Sequence, residues 1–98
     1  MKLAGRIALV TGAQQGIGAA IGVALAEEGA DVALTWLDDQ EAAAGVAGRI
    51  TQAGRRVHLV RADVARLADI NEMFEDTARA LGTPDILVNN AGVYPRVK

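Results

Sequence analysis

Apolar residues fall into short runs that alternate with longer stretches of helical spacing, and glycines or charged clusters separate the two kinds. The run Arg6-Ile7-Ala8-Leu9-Val10 predicts a buried first strand. After it, Ile17, Ala20, Ile21, Ala24 and Leu25 recur at the spacing of one helix face, predicting a helix from Gly16 to Glu28 with Gly29 as its stop. Asp31 to Trp36 predicts the second strand. Asp38-Asp39-Gln40-Glu41 has capping-box spacing, with Asp38 as cap and Glu41 reaching back. The second helix is then expected to run to Ala53 and to bury Ala42, Ala43, Val46, Ala47 and Ile50. Its internal Gly45 and Gly48 each weaken it by about 1 kcal/mol relative to alanine, unless they allow a close approach. Arg56 to Arg61 predicts the third strand. Leu67 to Leu81 predicts the third helix, with Leu67, Ile70, Phe74, Ala78 and Leu81 inward and Gly82 and Pro84 closing it. Asp85 to Val88 predicts the fourth strand.

Strands that alternate with helices imply right-handed crossovers and a parallel sheet. The expected fold class is α/β, a partial doubly wound Rossmann fold with four strands in the order 3-2-1-4 and three helices. The first two helices then share one face of the sheet and the third takes the other. The chain direction reverses between strands one and four, and ligands of such sheets bind at the carboxyl ends of the strands at that reversal.

The richest chemistry lies in Thr11-Gly12-Ala13-Gln14-Gln15-Gly16-Ile17-Gly18, where the first strand turns into the first helix. The leading N–H groups of a helix lack intrahelical partners, and the helix dipole adds partial positive charge there. Such a turn is an anion site. Gly12 is expected to supply positive φ, Gly16 to clear space for a phosphate, and Gly18 to let the helix pack against the strand. The ligand expected is the pyrophosphate of a dinucleotide. An ordinary glycine-rich turn is the competing reading, because three residues separate the first two glycines instead of the single one of the common dinucleotide pattern.

Thr-Gly-x-x-x-Gly-Ile-Gly after the first strand, Asp63-Val64 after the third, and Asn89-Asn90-Ala91-Gly92 after Ile86-Leu87-Val88 occur in one order along the chain. Together they resemble the short-chain dehydrogenase/reductase family, over about Leu3 to Tyr94. The resemblance implies an NAD(P)-dependent oxidoreductase that moves a hydride between nicotinamide and an alcohol or carbonyl substrate. It also implies that residues 1–98 are a truncated NAD(P)-binding Rossmann domain. The alternatives are a non-catalytic dinucleotide-binding module and an inert truncated product.

On that resemblance, Gly12, Gly16, Ile17 and Gly18 line the pyrophosphate, Ile17 through its backbone N–H with its side chain packed inward. Gln14 and Gln15 lie in the turn, near the adenosine ribose or phosphates, although Gln14 is equally readable as a solvated turn residue. Asp63 and Val64 flank the adenine, the carboxylate accepting from the exocyclic amine; the plain alternative for Asp63 is a loop or cap residue. Asn90, Ala91 and Gly92 run beside the two riboses, and Asn89 ties the fourth strand to its neighbours. Trp36 and Leu37 occupy the positions that discriminate NAD from NADP. Neither is charged, Gln15 is neutral, and Asp38 and Asp39 follow, so the cofactor expectation is NAD or NADP with a lean to NAD. Trp36 either stacks beside the adenine or covers the sheet edge. Arg55 and Arg56 read as solvated charges, and His58 as a packed or edge imidazole without a nameable partner.

Tyr94-Pro95-Arg96-Val97-Lys98 has the spacing of the family's catalytic tyrosine and lysine. Pro95 disfavours a helical Tyr94, the segment directly follows Asn-Asn-Ala-Gly, and no serine precedes it at a comparable distance. No catalytic residue is therefore assigned within this chain, and the expectation is the cofactor-binding part of a longer enzyme, inactive alone.

Composition narrows the partners. The 98 residues are 51% hydrophobic, with a net charge of −2 and no basic block, which argues against nucleic acid or an anionic membrane. No cysteine is present, so disulfides and thiolate metal sites are excluded, and no other metal-ligand spacing is found. No apolar run is long enough to span a membrane and no secretory leader precedes the first strand, so a cytoplasmic protein is expected. The longer form is expected to form homo-oligomers. The chain itself is expected to be marginally stable or to self-associate, because the fourth strand becomes an exposed edge and alternate residues of strands one and four meet water on the face of the third helix.

Overall fold

The computed structural model describes residues 2–12, 16–63 and 65–90. The elements follow as β1 (Ile7–Val10), α1 (Gly16–Glu27), β2 (Asp31–Trp36), α2 (Gln40–Gln52), β3 (Val57–Arg61), α3 (Leu67–Ala80) and β4 (Ile86–Val88). The four strands form one parallel sheet in the order β3-β2-β1-β4, as expected.

The sheet separates two apolar layers. On one face Ala8, Val10, Val32 and Leu34 pack with Ala19 and Ala26 of α1 and Val46 and Ile50 of α2. On the other, Leu9, Ala33, Val60 and Ala62 pack with Met73 and Leu81, and with the partly buried Ile70 and Phe74 of α3. Leu9, Leu34 and Ile50 are fully enclosed. Each such side chain contributes about 1.5–3 kcal/mol relative to exposure. The α3 face is better covered than expected at Leu9 of β1, which is excluded from water, while Ile7 of β1 is half-buried and Leu87 of β4 is 54% exposed.

The helices turn different faces inward from those the large apolar residues suggest. In α1 the buried positions are Gly18, Ala19, Gly22 and Ala26, whereas Ile17, Ala20 and Ala24 are exposed and Ile21 and Leu25 half-buried. Small residues let the helix backbone approach the sheet: a methyl on Gly22 would come within 2.9 Å of Leu34 Cδ2. In α3, Met73 and Thr77 are buried, while Leu67 and Ala78 point out. The stripe of α2 holds at Ala43, Val46 and Ile50. Gly45 and Gly48 are exposed, with open space where a Cβ would stand, so they serve no close approach. The cap of α2 is Asp39, not Asp38: its carboxylate accepts from the Ala42 N–H at 2.9 Å. The third residue beyond Asp39 is Ala42, whose methyl cannot accept the hydrogen bond that completes a capping box.

Candidate functional site

Residues 11–12, 36–37, 62–63 and 89–90 lie at or just beyond the ends of β1, β2, β3 and β4, so the parallel sheet gathers them along its carboxyl edge. The reversal of direction lies between β1 and β4, and there the links are densest. Thr11, 2% exposed, donates its backbone N–H to the Val88 carbonyl at 3.0 Å. Its hydroxyl lies 3.3 Å from both that carbonyl and Asn89 Oδ1. Asn89 thus ties β4 to β1, as expected.

Gly12 is held from both sides. Its N–H donates to the hydroxyl of the buried Thr35 on β2 at 3.0 Å, and its carbonyl accepts from Asn90 Nδ2 at 3.3 Å. Its φ of +63° is the positive value expected of it. Gly18, in the first turn of α1, packs against this peptide: a Cβ there would collide with the Gly12 carbonyl oxygen and reach 2.9 Å from Asn90 Nδ2. Gly16 differs. Its φ is +67°, and nothing lies within 4 Å of where its Cβ would stand. The first turn of α1 contains no acidic residue. The start of α1 therefore combines a fixed backbone, the positive end of a helix dipole and open space, the features that a diphosphate requires.

Ile17 departs from expectation. Its side chain is 72% exposed rather than packed inward, because the inward direction at this turn is taken by Gly18 and Ala19. Asp63 performs the plain duty weighed for it: Oδ1 accepts from the Ala65 N–H at 3.0 Å, and its own N–H donates to Asp69 Oδ2 at 2.9 Å. The other carboxylate oxygen makes no hydrogen bond among the described residues. Leu37 is 42% exposed at the crevice rim. Gln14, Gln15, Val64, Ala91, Gly92, Tyr94 and Lys98 lie outside the described residues.

Two contributors were not singled out in the sequence. Thr35 positions Gly12; its signal is a lone hydroxyl in the otherwise apolar Val-Ala-Leu-Thr run of β2. Arg61 ends β3 in register with Trp36, and its guanidinium carbon stands 5.8 Å from the Trp36 ring centroid. The lean to NAD rested on the lack of a cation near the end of β2, and Arg61 removes that premise.

Other charged side chains pair away from the carboxyl edge of the sheet. Arg56 is not merely solvated: at the amino edge of the sheet it pairs with Asp31 at 2.9 Å and donates to the Leu81 carbonyl. Arg55 donates to the Gly29 carbonyl at 3.1 Å. His58 has a definite partner, Asp76 of α3, at 3.0 Å, and Arg79 reaches the other oxygen of the same carboxylate at 3.3 Å. The His58 hydrogen bond holds the Asp76 carboxyl below the ordinary carboxylate range; partial burial opposes this and Arg79 reinforces it.

A family model described as short chain dehydrogenase matches residues 6–98. The chain belongs to the short chain dehydrogenase family. General stress protein 39 of Bacillus subtilis is 46% identical over 91 residues, which make up 93% of this chain and 32% of that protein. A short chain dehydrogenase from Burkholderia cenocepacia, solved in complex with NADP, superposes with a TM-score of 0.92 at 44% identity, covering 100% of this chain and 40% of that one. A blue fluorescent protein from a metagenomic library, solved with NADPH, gives 0.91 at 38% identity, over 96% of this chain and 39% of that one. The chain thus spans between about a third and two fifths of the short chain dehydrogenase relatives it matches. Among the described residues no helix is long and apolar enough to cross a membrane.

Proposed function

We propose that this chain is the cofactor-binding part of an NAD(P)-dependent oxidoreductase acting on an alcohol or carbonyl group. The observation that carries the reading is the clamped Gly12 peptide with Gly18 packed on it and Gly16 left open at the start of α1. Thr35 and Asn90 fix the turn before any ligand arrives, so little ordering cost accompanies binding. The diphosphate would rest against the leading N–H groups of α1. Asn90, held on Gly12, would stand beside the ribose. The free oxygen of Asp63 would accept from the adenine amine. When bound, the nicotinamide supplies or accepts the hydride.

The serine, tyrosine and lysine implied by the family have no counterpart that we assign in residues 1–98. Residues 1–98 therefore bind the cofactor without turning over substrate. Membership of the family and the NADP and NADPH complexes of two relatives support the cofactor class. Calorimetric titration with NADP and with NAD tests the proposal. Micromolar to millimolar binding of at least one, lost in Gly18→Ala, is the expected result. No heat with either nucleotide would overturn it.

A further inference from the structure

We propose that Arg61 receives the 2′-phosphate of the adenosine ribose, so that this chain takes NADP in preference to NAD; the inference rests on the dinucleotide reading above. Arg61 and Trp36 are register partners at the carboxyl ends of β3 and β2, and the Ala62 N–H donates to the Trp36 carbonyl at 3.0 Å, which keeps the two strand ends together. Side chains two apart on a strand share a face. Leu59 packs into the layer of α1 and α2, so Arg61 rises on the face that carries the glycine turn. There its guanidinium stands over the Trp36 ring at 5.8 Å, a cation–π contact that restricts the side chain and leaves its N–H fork available.

The other charges sharpen the assignment. Arg56, Arg79 and Arg6 face carboxylates of Asp31, Asp76 and Asp85. Among the described residues no carboxylate pairs with Arg61. Asp39, one of two acids that would repel a phosphate here, turns its carboxylate to the Ala42 N–H and caps α2. The start of α2 adds its own partial positive charge to the same corner. A guanidinium offers a phosphate two parallel charge-assisted hydrogen bonds, which a neutral 2′-hydroxyl cannot match.

The test uses the adenosine half alone: adenosine 2′,5′-bisphosphate against adenosine 5′-monophosphate, followed by calorimetry and by the emission of Trp36, the single tryptophan of the chain. The bisphosphate is expected to bind roughly tenfold or more tightly. Arg61→Ala and Arg61→Gln should abolish that margin, lowering bisphosphate affinity far more than monophosphate affinity. Arg61→Lys should keep part of it, since lysine retains charge but not the fork. Arg66→Ala, at the start of α3 on the opposite face, should keep it whole. Equal binding of the two nucleotides by the unaltered chain, or a margin that survives Arg61→Ala, would overturn the inference while the nucleotide site stands. Failure of both nucleotides to bind would overturn the site and the inference together.

Discussion

Asn90 Nδ2 donates to the Gly12 carbonyl at 3.3 Å, joining the turn after β1 to the segment after β4. The two residues lie far apart in sequence, and the reversal of the sheet between β1 and β4 brings them together. The same carbonyl is where a Gly18 side chain would collide, so one peptide fixes the strand end, the helix start and the asparagine at once.

Gly18→Ala should therefore be costly. The new methyl meets backbone, which cannot yield as a side-chain tip can, so a loss of about 1–3 kcal/mol in unfolding free energy is expected. Urea denaturation measures it, and nucleotide affinity should fall in parallel because α1 is pushed off Gly12.

Gly45→Ala is the converse case. Gly45 is helical and exposed, with open space where a Cβ would stand, so alanine removes unfolded-chain freedom at no steric cost. A gain of about 0.4–1 kcal/mol is expected, visible as a raised urea midpoint.

The strand order and the glycine turn were legible in the sequence because strand-length apolar runs alternate with helical spacing, which implies a doubly wound sheet, and because glycines mark the joint of β1 and α1 where positive φ and close packing are needed. The helix faces were misread because large apolar residues marked the stripes, whereas α1 approaches the sheet through Gly18, Ala19, Gly22 and Ala26 and leaves Ile17 outside. Leu67 misled in the same way at the start of α3. Pairings across elements, such as His58 with Asp76, Arg56 with Asp31 and Arg61 with Trp36, carry no local signature, since they arise only when the crossovers are complete.

Thr77 is fully buried in α3, and its hydroxyl has no hydrogen-bond partner among the described residues. Thr77→Val keeps the shape and removes the unsatisfied group, so stability should rise by about 1 kcal/mol in thermal or urea unfolding.

Asp76 sets part of the acid limb of stability. Its folded-state pKa lies below the ordinary carboxylate value, principally through His58. A carboxyl lowered by folding stabilises the protein above its unfolded pKa, about 3.9 for aspartate, and that contribution fades as pH falls through the lower folded value. Asp76→Asn should consequently destabilise the protein near neutral pH and flatten its loss of stability below about pH 4. Urea midpoints of the two forms across that range provide the comparison.

The central claim, that a dinucleotide diphosphate lies on the open start of α1, is tested most directly by recording amide resonances of the protein during titration with NADP. The backbone signals of Gly12, Gly16, Ile17 and Gly18 should move together and saturate with the binding curve. Saturable binding that leaves these four signals in place, or shifts confined to the amino edge of the sheet, would contradict it.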